Sequence, residues 1–286
     1  MALVTMKELL ERAKSNYRGI GAFSVGNMEM VKGAIKAAEE LDTPIILQIA
    51  EVRLDHSPLH LMGPMMLEAA RNAKVDVAVH LDHGLKFETI KKALEYGFTS
   101  VMLDASRDSF EENIEKTKEI VELCHSKGVS VEAEVGSIGG EEDGVVGKGE
   151  VADPKECKMI ADLGVDFLAA GIGNIHGKYP ENWEGLDFDA LDAIQKETGK
   201  LPLVLHGGTG IPEDMIKKAI TLGVSKINVN TECQLYFQEA TRKYIEAGKD
   251  LEGKGFDPRK LLAPGAAAIQ ECVKEKMEIF GCIGKA

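Results

Sequence analysis

Histidine and acidic side chains stand at the ends of apolar segments in this sequence. Residues 80–84 read His-Leu-Asp-His-Gly and end an apolar run that begins at Val75, and His176 and His206 lie near the ends of two later apolar segments. Unpartnered buried charges cost free energy, so these groups are expected to share a task. Three imidazoles on strand ends predict a catalytic zinc held by His83, His176 and His206, with one coordination position open. The alternative is three hydrogen-bonded histidines without a metal.

Carboxylates accompany these histidines. Glu132 and Glu134 lie on the same side of one predicted strand, because side chains alternate along a strand, and two inward carboxylates repel unless a cation or a donor intervenes. Together with Asp104 they could accept hydrogen bonds from metal-binding histidines or hold a second metal. A salt bridge to a Lys or Arg is the alternative. Asp82, next to a predicted ligand, is placed for proton transfer.

Two glycine- and asparagine-rich segments predict an anion site. Residues 206–210 read His-Gly-Gly-Thr-Gly and residues 228–231 read Asn-Val-Asn-Thr. Glycines let backbone N–H groups close on an anion, and the loops after strands 7 and 8 of parallel barrels commonly hold phosphate. A purely structural turn is the alternative. Residues 136–144, glycines flanking an acidic triplet, predict a mobile loop that carries a carboxylate over the site, or else a solvated acidic loop.

These residues need a scaffold, and the apolar pattern supplies one. Short strand-like segments alternate with longer amphipathic ones, many of which end in glycine. The predicted strands are Gly21–Val25, Pro44–Ile49, Val77–Leu81, Ser100–Leu103, Ser130–Glu134, Asp166–Ala170, Pro202–Leu205 and Lys226–Val229. The clearest predicted helices are Met28–Leu41, Lys86–Tyr96, Phe110–Lys127, Pro154–Leu163, Phe188–Thr198, Glu213–Leu222, Glu232–Ala247 and a last one near Gly265–Phe280.

Eight strand–helix units predict an α/β chain that folds as a single (β/α)8 TIM barrel domain, residues 1–286, with an extra C-terminal helix. An open doubly wound sheet is the alternative, and no Gly-x-Gly-x-x-Gly follows the first strand to support its dinucleotide-binding form. The net charge of −13 argues against nucleic acid as a partner. The five scattered cysteines, with no signal peptide and no apolar run of membrane-spanning length, predict a cytoplasmic protein.

Seven motifs, in order along nearly the whole chain, resemble the class II, zinc-dependent ketose-bisphosphate aldolases. They are Val-His-Leu-Asp-His-Gly (79–84), Ser-Val-Met-Leu-Asp-Ala-Ser (100–106), Val-Ser-Val-Glu-Ala-Glu-Val-Gly (129–136), Gly-Gly-Glu-Glu-Asp-Gly (139–144), Gly-Asn-Ile-His-Gly (173–177), Leu-Pro-Leu-Val-Leu-His-Gly-Gly-Thr-Gly-Ile-Pro (201–212) and Lys-Ile-Asn-Val-Asn-Thr-Glu (226–232). The resemblance implies reversible cleavage of a ketose 1,6-bisphosphate, fructose first and tagatose next, to dihydroxyacetone phosphate and glyceraldehyde 3-phosphate.

The resemblance also implies roles for residues. Asp82 would exchange the proton of the C4 hydroxyl, the loop carboxylate Glu142 would transfer a proton on the three-carbon product, and Glu134 and Asp104 match positions of alternative or second divalent-metal binding. The phosphate of dihydroxyacetone phosphate, often accompanied by Na⁺ or K⁺, would be held by Gly177, Gly207, Gly208, Thr209, Asn228, Val229, Asn230 and Thr231. Arg259 would reach the far phosphate from a neighbouring subunit of a homodimer or homotetramer.

Two strand ends depart from the family pattern. Ser24 stands where the family usually has Asn, and the second strand ends in Ala50-Glu51-Val52-Arg53 instead of a small-residue loop. Glu51 and Arg53 are expected to enlarge and charge that region, which leaves a different aldehyde or a ketose 1-monophosphate open as the substrate. Two further alternatives are a Schiff-base mechanism through Lys178 or Lys226 and a sugar-phosphate-binding protein without turnover.

Overall fold

Eight parallel strands close into a barrel. The structure is a computed structural model that describes residues 2–142, 145–147 and 150–284, without the side chains of residues 140–147. The barrel strands are β1 (Ile20–Ser24), β2 (Ile45–Ala50), β3 (Val77–Gly84), β4 (Ser100–Leu103), β5 (Ser130–Val135), β8 (Phe167–Ala170), β10 (Leu203–Leu205) and β11 (Val224–Val229). Around the barrel the neighbouring strands follow the order β1-β11-β10-β8-β5-β4-β3-β2. The predicted parallel barrel is confirmed.

Helices follow the strands and pack around the barrel. They are α1 (Met6–Ser15), α2 (Met28–Glu40), α3 (Leu59–Asn72), α4 (Phe87–Tyr96), α5 (Phe110–His125), α6 (Pro154–Ala161), α7 (Phe188–Glu197), α8 (Glu213–Thr221), α9 (Thr231–Glu246), α10 (Pro258–Leu261) and α11 (Ala263–Phe280), with 3₁₀ turns at Glu51–Arg53 and Lys249–Leu251. The predicted C-terminal helix is confirmed as α11, which packs against α2 and α9. No helix in the described ranges is both long and apolar enough to cross a membrane.

Helix α1, which the sequence reading missed, covers one end of the barrel. Thr5 caps it, with Glu8 completing a capping box. Its buried Met6 and Leu10 belong to the same apolar cluster as Phe167 and other inward side chains of the strands. Because this cluster fills the barrel interior below the polar residues, the carboxyl ends of the strands remain as the end available for chemistry.

The segments after β5 and after β8 contain short strands of their own. β6 (Gly139–Glu142) pairs antiparallel with β7 (Val145–Gly147) and parallel with β9 (Ile175–His176). The segment predicted as a loop, residues 136–144, therefore includes strand β6. This small sheet ties the segment after β5 to the segment that carries His176, so one of the predicted metal ligands sits on paired backbone above the barrel.

Candidate active site

A local irregularity at the end of β3 aims two adjacent side chains into one site. Regular alternation would send Asp82 and His83 to opposite faces of the strand. The register with β4 shifts between Leu81 and Gly84, and His83 adopts a positive φ of 44°. A bulge with a left-handed residue re-aims side chains, at a local cost in free energy. The result places Asp82 and His83 together at the mouth of the barrel.

The three predicted imidazoles converge. The ring centroids lie 5.2 Å apart for His83 and His176, 4.7 Å for His83 and His206, and 5.8 Å for His176 and His206. Each ring offers one nitrogen, and these nitrogens all lie within 4.8 Å of one another. The three residues come from the end of β3, from β9 and from the position after β10, so residues far apart in the sequence form one group.

Carboxylates fix which nitrogen of two rings faces the centre. Asp104 Oδ2 lies 2.7 Å from His83 Nδ1, and Glu132 Oε1 lies 2.9 Å from His206 Nε2. If those nitrogens carry the protons, His83 Nε2 and His206 Nδ1 present lone pairs to each other at 3.0 Å. Two facing lone pairs require a shared proton or a shared cation. The donor set therefore fits a divalent metal, with carboxylates orienting the ligands.

Burial and neighbouring charges move the pKa values here. Burial alone would lower the pKa of His83, but Asp82, Asp104 and Glu134 outweigh it and raise that pKa well above its usual value. Burial likewise opposes the charged form of Asp104, yet His83 and Ser106 hold the pKa of Asp104 well below its usual range. The metal-free site therefore favours an imidazolium–carboxylate pair, and a cation would replace that proton.

Glu134 forms a second candidate metal group with His83 and Asp104, since ligand atoms of all three lie within 4.8 Å of one another. Burial and the charge of Asp104 raise the pKa of Glu134 well above its usual value. Its Oε2 is buried and has no hydrogen-bond partner among the described residues. A buried carboxylate oxygen without a partner is unusual, and a second cation at this place would satisfy it.

Glu132 also has the cationic partner that the sequence reading held as an alternative. Lys226 is fully buried, and its Nζ donates to Glu132 Oε2 at 2.7 Å and lies 3.2 Å from His80 Nε2. His80 Nδ1 contacts Ser100 Oγ at 2.9 Å, and His80 is fully buried in the barrel interior. Burial, with Lys226, lowers the pKa of His80 to about 3. This network lies beneath the imidazole group.

Asp82 is held by two amides that leave it a proton acceptor. Gln48 Nε2 donates to Asp82 Oδ2 at 3.0 Å, and Asn228 Nδ2 donates to Oδ1 at 3.3 Å. Gln48 also donates to Ser24 Oγ at 3.1 Å. The sequence reading missed Gln48, although a glutamine inside the apolar strand β2 is a signal that it could have used. Both donors fix the orientation of the carboxylate.

The segment bearing His176 is bound to the segment bearing His206. Asn174 Nδ2 donates to His206 O at 3.0 Å, and Tyr179 Oη donates to Gly207 O at 2.9 Å. Gly207 has φ 67°, and a Cβ there would lie 2.0 Å from Ile175 O. Only glycine permits this approach. Asn174 and Tyr179 were also missed, because no sequence pattern marks a hydrogen bond between two loops.

A small cavity opens beside the imidazoles, and most of the predicted phosphate residues line it. Its lining consists of Gln48, Asp82, His176, Gly177, Gly207, Thr209, Asn228, Asn230 and Thr231. Gly208 lies directly behind, where its N donates to Asn228 O at 2.9 Å. Thr209 Oγ1 accepts from the backbone N of Glu232 in the first turn of α9 at 3.3 Å. Glycine-rich backbone next to a helix N-terminus favours an anion.

Other predicted residues lie elsewhere. The Val229 side chain is buried in the core. Arg259 is 87% exposed and pairs with Asp257 at 2.6 Å within its own chain. The backbone of Glu142 ends β6, and its side chain lies outside the described residues. Glu51 does not charge the site as expected, because its carboxylate accepts the backbone N–H groups of residues 85 and 86 before α4. Lys178 is exposed on the loop after β9.

Fold and site together define a parallel-barrel protein with a candidate metal-dependent active site at the carboxyl ends of its strands. The sequence model of the family "Fructose-bisphosphate aldolase class-II" matches residues 4–285. The chain belongs to this metal-dependent family of carbon–carbon lyases. That membership disfavours the Schiff-base alternative, and Lys226 is committed to Glu132.

Relatives and solved structures agree. The chain is 50% identical over 289 residues to the fructose-bisphosphate aldolase of Mycoplasma pneumoniae, covering 99% of this chain and 100% of the relative. It is 46% identical to that of Streptococcus pyogenes serotype M1, covering 100% of both. The crystal structure of the YdjI aldolase from Escherichia coli K12 superposes with a TM-score of 0.85, 32% identity and 99% coverage of both chains. The Campylobacter jejuni fructose-bisphosphate aldolase, at 22% identity and TM-score 0.84, covers 100% of this chain and 97% of its own and supports the fold alone.

Proposed function

We propose that this protein reversibly cleaves fructose 1,6-bisphosphate to dihydroxyacetone phosphate and glyceraldehyde 3-phosphate, with tagatose 1,6-bisphosphate as the next substrate to consider. The observation that carries the proposal is the convergence of His83, His176 and His206 beside Asp82. Membership of the family and the names of the relatives support the choice of fructose. A cytoplasmic protein of one barrel domain and two or four subunits fits this role.

The proposal assigns zinc to the three imidazoles. His83 would bind through Nε2 and His206 through Nδ1, because their other nitrogens face Asp104 and Glu132. When bound, such an ion acts as a Lewis acid that polarises a carbonyl and stabilises developing negative charge. Asp104 and Glu134, with His83, are the proposed place for a second divalent ion, in keeping with the Glu134 oxygen that has no hydrogen-bond partner among the described residues.

Asp82 is the proposed acid–base group. In cleavage its carboxylate takes the proton of the C4 hydroxyl as the C3–C4 bond breaks, and the aldehyde product forms at C4. The hydrogen bonds from Gln48 and Asn228 keep the carboxylate in place. Glu142 is the proposed group that then delivers a proton to C3 of the three-carbon product.

The phosphate of the three-carbon half is assigned to the backbone and side chains around the cavity. Gly177, Gly207, Gly208 and Thr209 come from the loops after β9 and β10, and residues 228–231 lead into α9. Val229 can contribute only backbone, since its side chain is in the core. A monovalent cation, Na⁺ or K⁺, is proposed to accompany this phosphate, and Arg259 of a neighbouring subunit to approach the other one.

Steady-state assays on metal-loaded protein test the proposal. We expect cleavage of fructose 1,6-bisphosphate, loss of activity after chelation, and recovery on adding Zn²⁺. Tagatose 1,6-bisphosphate assayed in parallel decides the configuration at C4. Full activity in protein with no metal by elemental analysis would overturn the mechanism. Binding of dihydroxyacetone phosphate without exchange of its C3 proton would favour a binding protein instead.

A further inference from the structure

Arg53 reaches over the mouth of the barrel from the end of β2. It closes the 3₁₀ turn Glu51–Arg53, and Glu51 anchors this turn to the start of α4. Arg53 Nη2 donates to Asn230 Oδ1 at 3.1 Å. A Cβ at Gly26, just after β1, would lie 3.4 Å from Arg53 Nη1. The guanidinium therefore spans the ends of three adjacent strands, β2, β1 and β11.

The start of α9 also positions this guanidinium. With its amide turned so that the oxygen faces Arg53, Gln234 accepts from Nη1 at 3.3 Å. Asn230 and Gln234 are four residues apart and so lie on the same side of the helix start. A planar guanidinium held by side-chain amides is pre-organised to bind an anion, because less rotamer freedom is lost when it binds.

Arg53 carries a positive charge, which the described side chains lining the neighbouring cavity do not supply. None of the described side chains that line the cavity is Lys or Arg. A ketose bisphosphate has two phosphates of about −1.5 to −2 each at neutral pH. Backbone N–H groups around Gly207 and the start of α9 can serve one of them. The second phosphate requires a separate positive group, and Arg53 lies at the rim of the same cavity through Asn230.

The order of the reacting groups indicates which phosphate Arg53 would meet. In the proposed mechanism Asp82 acts on the C4 hydroxyl, and Asp82 Oδ2 faces Gln48 of β2. If the chain beyond C4 follows the side of Asp82 that Gln48 occupies, it would extend toward β2, whose carboxyl end leads into Arg53. The phosphate of the three-carbon half would lie at Gly177, Gly207 and Thr209, and Asn230, which accepts from Arg53, stands between the two proposed phosphate positions.

We propose that Arg53 is a specificity-determining residue that binds the distal phosphate, the one on C6, from within the same chain, so that the enzyme prefers a ketose bisphosphate to a ketose 1-monophosphate. This assignment rests on the aldolase function proposed above. It does not require the neighbouring subunit to supply every cation for that phosphate.

Comparing two substrates in three variants tests this assignment. Cleavage of fructose 1,6-bisphosphate and of fructose 1-phosphate is measured for the wild type, Arg53→Ala and Arg53→Lys, with Lys178→Ala as the control for an exposed cation near the site. We expect Arg53→Ala to lower kcat/KM for the bisphosphate roughly 10- to 100-fold, mostly through KM, since charge-assisted hydrogen bonds are lost. Arg53→Lys should fall between, because it keeps the charge but loses the planar fork.

The 1-monophosphate serves as the internal control for folding. Its kcat/KM should stay within about twofold in Arg53→Ala, and Lys178→Ala should change neither substrate by more than that. An equal loss for both substrates would overturn the assignment, because Arg53 would then act through Asn230 on the loops around Gly207. No loss for either substrate would overturn it as well. Failure of the metal-loaded wild type to cleave either sugar would instead refute the aldolase function, and the assignment of Arg53 with it.

Discussion

Replacing Asp82 by Asn should separate proton transfer from metal binding. The carboxylate is buried and accepts one hydrogen bond on each oxygen, from Gln48 and from Asn228. Asparagine has the same shape but only one oxygen, so one of these donors will face an NH₂ group. That mismatch should lower the free energy of unfolding by about 1–3 kcal/mol. The imidazoles are untouched, and the metal should remain.

The catalytic loss should be much larger than the stability loss. A positioned acid–base group contributes roughly 10²–10⁴-fold, so the barrier to cleavage should rise by about 3–5 kcal/mol. The assay is kcat for fructose 1,6-bisphosphate, with metal content measured on the same sample. Exchange of the C3 proton of dihydroxyacetone phosphate should persist in Asp82→Asn, because that step does not involve the C4 hydroxyl.

A matched substitution gives the control. Asp153 caps α6 with a hydrogen bond from the backbone N of Lys155 at 2.7 Å, and Asp153→Asn should leave kcat unchanged. Loss of metal from Asp82→Asn, or equal losses in cleavage and in proton exchange, would refute the assignment of Asp82 as the group that handles the C4 proton.

Three further predictions concern the surroundings of the site. Lys226→Met leaves the buried Glu132 without its cationic partner, so urea unfolding should show a free energy of unfolding lower by about 3–5 kcal/mol. The double variant Lys226→Met/Glu132→Gln should recover part of this loss. A loss under about 1 kcal/mol in Lys226→Met would contradict the pairing. The pKa of His83 is raised well above its usual value. Protonation of His83 therefore stabilises the metal-free fold, fully so below about pH 6.5, the ordinary pKa of histidine. This stabilisation is lost as the pH rises through the raised pKa. Zn²⁺ affinity, measured by chelator competition, should therefore increase with pH over that window, and a flat profile would be evidence against it. Glu51→Ala removes hydrogen-bond acceptors at the start of α4. The free energy of unfolding, measured by thermal denaturation, should fall by about 1–2 kcal/mol, while kcat stays within about twofold. Glu88→Ala, in the first turn of α4, is the control and should lower the free energy of unfolding by less.

The barrel and its polar rim could be predicted because both depend on local patterns. Alternating apolar segments gave all eight barrel strands, each within a few residues of its position. Glycines at helix ends were also assigned correctly, as the φ values of Gly97 and Gly223, 97° and 108°, illustrate. Since the carboxyl ends of parallel strands meet at one rim, polar residues at those ends could be placed together without knowing any contact.

Pairings across the barrel could not be predicted. Lys226 and Glu132 lie on strands that are not neighbours in the sheet, and no sequence period connects them. The conformation of His83 could not be predicted either. Strand alternation predicts that the adjacent side chains of Asp82 and His83 point to opposite faces, and the positive φ of His83 changes this. Helix α3 was missed because Pro64 and Gly63 within it resemble a break in a helix. In each case the tertiary structure overrides a local preference.

Some signals in the sequence were not interpreted as a buried network, and Lys226 was considered only as a Schiff-base residue. Gln48 and Lys226 are polar residues inside apolar strands, and both turn out to be buried at the base of the site. A buried polar residue in a barrel strand needs a partner, so it indicates a network even when the partner is unknown. Glu51 illustrates the opposite error. Its charge was expected to act at the site, but its carboxylate accepts hydrogen bonds from the backbone at the start of α4.

The central claim is that three imidazoles share one divalent ion, and metal content combined with X-ray absorption spectroscopy tests it most directly. We predict about one tightly bound ion per chain at limiting Zn²⁺, with imidazole nitrogens at about 2.0–2.1 Å. We predict that this ion is lost in each of His83→Ala, His176→Ala and His206→Ala. Retention of the ion in all three variants, or a spectrum without imidazole ligands, would contradict the account.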